Sequence, residues 1–300
     1  MSVELDSFCY GCHYRRNVAT ARSLGDEATA TAFARELMQL YLDTPVAGSA
    51  SPLLSPGTTA LFQKYYGLDA DRFRQEKADS NKFVLERLPG IRRRIETTQD
   101  PLFTALQFAI LGNYIDFSAL QGELTFEKLD EMLKNAENMD LDRETYHRFR
   151  EKLGKSQKLL YLTDNAGEIG FDRLLGEEIA RAYPNLAITF CVRGGPAAND
   201  ATRLSLATRA DAALMELPFP VIDNGTNIPG TVLSALGAQA KQAMDAADVI
   251  LSKGQGNVET LYGCGYPIFY AFLVKCQRFQ DLFGKEKLTP MFVEETGTGA

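Results

Sequence analysis

From Phe33 to about Leu153 the apolar residues recur at three- and four-residue steps. Phe33, Leu37, Leu40 and Tyr41 make one such stripe and Phe103, Leu106, Ala109 and Ile110 another. That spacing puts them on one face of an α-helix, and strand-like alternation is nearly absent here. Breakers at Pro45 to Pro56, at Leu88-Pro89-Gly90 and at Asp100-Pro101 divide this part into several helices with short loops. Lys128 to Lys152 is a charged amphipathic segment leading into Gly154-Lys155-Ser156. The spacing therefore predicts a helical N-terminal subdomain, 1–153, and a boundary before 154–300.

Beyond that boundary the rhythm changes. Lys158 to Thr163 is a short apolar run of the buried-strand type. A glycine-containing turn follows, then a helix with Phe171, Leu174, Leu175, Ile179 and Ala182 on its apolar face. Further strands are expected at Ala187–Val192, Pro220–Ile222, Asp248–Ser252 and Ile268–Val274, with a helix near Ala201–Thr208. Strands alternating with helices imply an α/β fold: a Rossmann-like, mostly parallel sheet with helices on both faces. In such sheets ligands bind beyond the carboxyl ends of the strands.

A length of 300 residues suits two domains or one large α/β body with an added part, and 45% apolar content is ample for a core. Disordered and fibrous classes are thereby excluded. The net charge of −7 is shared between the halves, with 19 basic against 23 acidic residues through 152 and 13 against 16 after it. Neither half is a basic arm, so nucleic acid is not an expected partner. A small phosphorylated substrate is compatible with this charge, because one metal ion and one lysine suffice locally for a phosphate. The cysteines at 9, 12, 191, 264 and 276 are an odd set in a long chain and fit a reducing compartment. The opening Met-Ser-Val-Glu-Leu-Asp has no basic n-region or apolar h-region, and no apolar run approaches a membrane span. A soluble, cytoplasmic protein is expected. Only His13 and His147 are present, both in the first half, which leaves carboxylates, amides, lysine or a metal for chemistry in the second.

Four polar clusters occupy the carboxyl edge of the expected sheet: Asp164-Asn-Ala-Gly-Glu168, Asn199-Asp-Ala-Thr202, Asp223-Asn-Gly-Thr-Asn227 and Ser252-Lys-Gly-Gln-Gly-Asn257. Each has a plain structural reading, since Asp, Asn and Thr cap helices and Asn-Gly makes turns. Four on one edge point to chemistry. Asp and Asn oxygens suit a hard divalent cation such as Mg²⁺ or Mn²⁺. Lys253 beside Gly254 and Gly256 at a helix start offers a charge and backbone N–H groups to a phosphate. The loop lacks the Gly-x-x-x-x-Gly-Lys-Ser/Thr order of a P-loop and the third glycine of a dinucleotide fingerprint, and Asp164 is not followed by the Asp-x-Asp pair of another phosphatase class.

The runs Asp164-Asn-Ala-Gly-Glu-Ile169, Val192-Arg-Gly-Gly-Pro-Ala-Ala-Asn-Asp-Ala-Thr202, Asp248-Val-Ile-Leu-Ser-Lys-Gly-Gln-Gly-Asn257 and Gly112-Asn-Tyr-Ile-Asp116 resemble the signatures of the DUF89 family, metal-dependent damage-control phosphatases. The resemblance spans nearly the whole chain. It implies a helical part packed on a Rossmann-like part, with a divalent ion (Mn, Co, Ni or Mg) held by Asp164, Asn165 and Asp200, and hydrolysis of phosphate monoesters of small metabolites such as sugar phosphates, nucleotides or damaged cofactor precursors. It further implies that Lys253 binds the phosphate with Asn257 and Asn113 nearby, that Asp116 reaches the substrate from the helical side, and that the site lies between the two parts. Asp200 and Glu168 are then the candidate general bases. Asn113 and Asp116 also have a simpler reading as caps of one helix turn.

Cys9-x-x-Cys12 with Cys276 resembles the microbial subgroup of that family. A structural contact or soft-metal site joining the three, and ordinary reduced thiols, stay open; haem attachment at Cys9-x-x-Cys12-His13 would need export. His13 reads as a surface or capping residue, Arg92-Arg93-Arg94 as a solvated helix face, and Cys191 and Cys264 as small core residues. Two other functions are compatible with a Rossmann-like sheet: an S-adenosylmethionine-dependent carboxyl methyltransferase, and a non-catalytic binder of phosphosugars or nucleotides. The first is disfavoured by a first loop with a single early glycine and a second strand ending at Val192-Arg193.

Overall fold

The computed structural model describes residues 3–115, 125–203 and 217–295. Helices α1 (Ser7–Leu24), α2 (Glu27–Asp43), α3 (Ser55–Tyr66), α4 (Arg74–Leu85), α5 (Leu88–Thr97), α6 (Pro101–Gly112), α7 (Phe126–Lys134) and α8 (Arg143–Gly154) fill the first half; the spacing predicts helix from Phe33 onward, and α1 precedes that stretch. Asp6, Asp26, Asp100, Thr125 and Asp142 stand at N-caps, where each side chain accepts a first-turn backbone N–H that the helix itself leaves unpaired.

The second half carries β1 (Lys158–Leu162), α9 (Glu168–Ala182), β2 (Ala187–Val192), β3 (Val221–Asp223), α10 (Ala238–Ala246), β4 (Val249–Lys253), α11 (Gln255–Leu261), β5 (Ile268–Leu273), α12 (Gln277–Phe283) and β6 (Pro290–Glu295). Among the described residues the sheet order is β3-β2-β1-β4-β5-β6. The first five strands pair in parallel and β6 runs antiparallel to β5. The five expected strands lie where the apolar runs placed them. Strand β6 was not anticipated; its signal is Pro290, which cannot donate to a ladder and suits the first residue of an edge strand. The helix expected near 201–208 runs into residues 204–216, outside the described residues, as does Asp116.

Each central strand is apolar on both faces. Leu159 and Tyr161 enter one core with Phe171, Leu175 and Ile179 of α9, while Leu160 and Leu162 enter the other with Met244, Val258 and Phe279. Cys191 is buried in that second core and Cys264 packs against it, as expected. The change of rhythm at residue 153 falls inside a continuous core, because residues of α4 to α8 share the first cluster with the sheet. Helices α1 to α3 instead surround their own small cluster of Ala21, Ala30, Phe33, Leu37 and Phe62.

Two expectations are corrected here. Arg92 and Arg94 are not a solvated face: Arg92 pairs with Glu177 of α9, and Arg94 donates from Nε to Glu137 at 2.8 Å and from Nη1 to the Leu133 carbonyl at 2.7 Å, so only Arg93 is exposed. His13 is half-buried, with Nδ1 2.8 Å from the Tyr41 hydroxyl and Nε2 3.4 Å from Thr58 Oγ1, which ties α1 to α2 and α3. Burial and the charges of Arg16 and Arg72 push its pKa down to about 4.

Candidate active site

The chain order reverses between β1 and β4, the switch point at which open α/β sheets hold their ligands. Asp164 and Asn165 leave the end of β1 there. Asp200 is brought to them by the segment after β2, which folds back so that the Ala201 N–H donates to the Asp164 carbonyl at 2.7 Å, the Ala166 N–H to the Asn199 carbonyl at 2.9 Å and the Arg193 N–H to the Ala201 carbonyl at 2.9 Å. Gly254 closes the other side. Its φ is +78°, and a Cβ there would stand 1.9 Å from Asp164 Oδ2, so only glycine lets the β4 turn lie against that carboxylate.

Asp164 is held by amides. Asn113 Nδ2 and Asn165 Nδ2 each donate to its Oδ2 at 2.9 Å. The second protons of both amides go to Glu168, Asn165 donating at 2.8 Å and Asn113 at 3.0 Å to Oε2. Asn113 Oδ1 accepts the Leu273 N–H at 3.2 Å, fixing the amide to β5. Asp200 accepts from Arg193 Nε at 2.6 Å, and Arg193 Nη2 sits 3.7 Å from Asp164 Oδ1 with no hydrogen-bond partner. Burial and the Asp200 and Glu168 carboxylates push the Asp164 carboxyl well above the usual range, against the pull of Lys275 and Arg193.

Lys253 is placed differently from the expectation. It is completely buried, and its ammonium donates to Asp172 Oδ1 at 2.6 Å, Glu168 Oε1 at 2.7 Å and the Ala109 carbonyl at 2.8 Å. An ammonium has three donors, so none is left for a phosphate. Burial works against its charge, but Asp172 and Glu168 outweigh that and raise its pKa. Asp172 also accepts the Tyr161 hydroxyl at 2.7 Å, and burial pushes its carboxyl up to about 7 despite Lys253. Glu168 is equally buried, so its carboxylate positions Asn165, Asn113 and Lys253 beneath the site. Asn257 is buried as well, donating to the Lys253 and Thr163 carbonyls at 2.7 and 3.1 Å and accepting from Thr231 at 2.8 Å. The cluster at 223–227 is a turn: Asn224 Oδ1 accepts the Gly194 and Thr226 N–H groups at 3.0 Å, and Asp223 pairs with Arg203.

Asp164, Asn165 and Asp200 form the floor of a cavity of about 580 Å³. Its walls are α1, the start of α3 and the approach to α4 on one side, and α11 with residues 275–280 on the other. The cavity thus lies where the helical and sheet parts meet. Lys275 lines it beside the carboxylates, the position expected of Lys253. Sequence reasoning missed Asp172, Arg193 and Lys275. The first two carry a signal: a carboxylate on an otherwise apolar helix face, and an arginine at a strand's carboxyl end.

Whether these residues fit a divalent cation can be read from the donors. Both amide protons of Asn165 are spent on carboxylates, so its carbonyl oxygen is the atom it can offer a cation, and Asp164 is crowded by Asp200 and Glu168, whose repulsion a cation would relieve. Among the described residues no three His, Cys, Asp or Glu side chains converge to hold a metal by themselves. Two acids and an amide oxygen are a hard-donor set and fit. The same observation leaves the soft-metal reading of Cys9, Cys12 and Cys276 without support. All three are free thiols on the cavity wall, and burial raises Cys9 and pushes Cys276 up to about 11.

Fold and site together define an α/β enzyme with a carboxylate–amide centre at a sheet switch point. The family model described as a damage-control phosphatase ARMT1-like domain matches residues 6–289. A damage-control phosphatase of Archaeoglobus fulgidus is 32% identical over 76% of this chain and 78% of its own, and one of Pyrococcus horikoshii is 34% identical over 71% and 70%. An uncharacterised Methanocaldococcus jannaschii protein is 30% identical over 94% and 93%. The crystal structure of a DUF89 family protein from P. horikoshii superposes with a TM-score of 0.81 at 27% identity, covering 97% of this chain and 99% of that one. The chain belongs to the damage-control phosphatase family, and its enzyme class is phosphatase.

Proposed function

We propose that this phosphatase hydrolyses phosphate monoesters of small metabolites with the help of a divalent cation, Mn²⁺, Co²⁺, Ni²⁺ or Mg²⁺, held by Asp164, Asn165 and Asp200. The observation that carries the reading is the meeting of these three buried side chains in one cavity. When bound, such an ion would neutralise phosphoryl oxygens and orient a water. The chain's own residues do the remaining work. Asn113 and Asn165 fix one oxygen of Asp164, and Arg193 fixes one oxygen of Asp200, so the carboxylates meet the substrate preorganised. Lys275 supplies a positive charge beside these carboxylates. Asp200 is the general base; Glu168, buried and already bonded to Lys253, Asn113 and Asn165, positions it all from below. Lys253, Asn257 and Gly254 shape the site without touching substrate.

The reading needs neither nucleic acid nor a membrane surface. Among the described residues no helix is long and apolar enough to cross a bilayer, and the five free thiols suit a reducing cytoplasm. The methyltransferase alternative gains nothing from the two relatives named damage-control phosphatases. Phosphate release from an aryl phosphate should require added metal, vanish with chelator, and be lost in Asp164→Ala and Asp200→Ala. Activity surviving both substitutions would overturn the proposal, and tight metal binding without turnover on any phosphorylated metabolite would favour the non-catalytic binder.

A further inference from the structure

The cavity of this acidic protein also carries cationic side chains that are not among the charges acting on Asp164, with the Glu259 carboxyl near two of them, Arg16 and Arg278. Arg16 on α1, Arg72 before α4, and Arg278 and Lys287 on the sheet side all line it. Arg278 is already engaged, pairing with Asp6 at 3.1 Å and reaching Cys9 Sγ at 3.5 Å. Arg72 is not. Its half-buried guanidinium lies over the rings of Phe62 at 4.1 Å and Phe73 at 4.8 Å, and among the described residues it has no carboxylate within ion-pair distance and no hydrogen-bond acceptor. Arg16 stands near enough for its charge, after burial, to depress the Arg72 pKa. Two guanidinium groups beside a cavity, one of them held by aromatic rings with its donors unspent, form a fork suited to phosphate or carboxylate oxygens.

We propose that this cationic lining binds a second anionic group of the substrate, remote from the phosphate being cleaved, with Arg72 as the selecting residue and Arg16 beside it. The inference rests on the phosphatase reading above and narrows it to phosphomonoesters that carry another phosphate or a carboxylate. A cavity of about 580 Å³ has room for a ligand spanning floor and wall. The metal-bound floor would take the scissile phosphate while the arginine fork holds the other end in register, so the second charge is recognised without entering the reacting centre.

The test compares kcat/KM of the metal-loaded enzyme for a sugar bisphosphate, a phosphorylated hydroxy acid and an aryl phosphate without a second charge. The wild type should favour one of the first two, which also tells phosphate from carboxylate. Arg72→Leu, which keeps the packing on Phe62, should lower that preference about tenfold or more, mainly through KM, and Arg72→Lys should lower it less. Melting curves identify any variant that fails to fold, and the lysine variant then decides. A preference unchanged by both substitutions, or no preference in the wild type, overturns the inference. Calorimetric titration of the bisphosphate into Asp164→Asn and Asp164→Asn/Arg72→Leu gives a readout free of turnover. A Kd raised about tenfold in the double variant, in a protein that hydrolyses nothing, would keep the anion site and sink the phosphatase reading; equal Kd values in an active phosphatase would do the reverse.

Discussion

Replacing Lys253 with methionine separates two roles that the sequence alone does not distinguish. In the structure the ammonium is completely buried and gives its three protons to Asp172, Glu168 and the Ala109 carbonyl. Lys253→Met leaves two buried carboxylates facing each other without a counter-charge. Stranding the partners of a buried ion pair costs about 3–5 kcal/mol. With an unfolding entropy near 2.1 cal/mol/K per residue, a chain of this length melts roughly 5–8 °C lower for that loss. Burial already pushes the Asp172 carboxyl up to about 7 despite Lys253. Lys253→Met/Asp172→Asn should therefore recover a large part of the lost stability. Activity should fall through kcat, because Glu168 no longer holds Asn165 and Asn113 in place. Differential scanning calorimetry with steady-state kinetics on an aryl phosphate measures both effects. A Lys253→Met protein that melts within about 1–2 °C of wild type and differs only by a higher KM would refute the argument, since a phosphate ligand facing the cavity would behave that way.

Three further outcomes are expected. Asp164→Asn should melt at or above the wild type without metal, because it removes one of three crowded carboxylates, while added Mn²⁺ should raise the melting point of the wild type alone; a variant stabilised equally by Mn²⁺ would show that Asp164 is not a ligand. Gly254→Ala forces a side chain into the Asp164 carboxylate at a positive φ and should lower kcat about 100-fold, so near-normal turnover would contradict the described turn. For His13 the folded pKa, about 4, lies below the ordinary imidazole value of about 6.5. The unfolded chain then takes up the proton first, and stability falls as pH drops from about 6.5 to 4, by about 3 kcal/mol; denaturant melts over that range should lose this component in His13→Gln.

The sequence by itself determined much of the architecture. Apolar spacing marked the stretch from Phe33 to Leu153 as helical and located α9 and five of the strands, and the polar residues just beyond β1 and β4 announced an edge with chemistry. Periodicity is a local property, so it survives in a single chain read without its fold. Four ordered motifs also carried the family. What the sequence could not supply is how many partners each charge already has. Lys253 and Lys275 read alike as lysines near strand ends, yet one is buried with every donor spent and the other lines the cavity. Asp223-Asn-Gly resembled a ligand cluster as much as Asp164-Asn165 did, and only the Gly194 and Thr226 amides show Asn224 to be a turn. Asp200 reaches Asp164 because the segment after β2 folds back through backbone bonds, a path that no spacing encodes. Arg72, distant in sequence from every motif, meets the same cavity because α1 and α3 pack beside it. Hydrophobic pattern fixes where elements form; the roles of charges depend on contacts between residues far apart in the chain, and those exist only once the elements have packed.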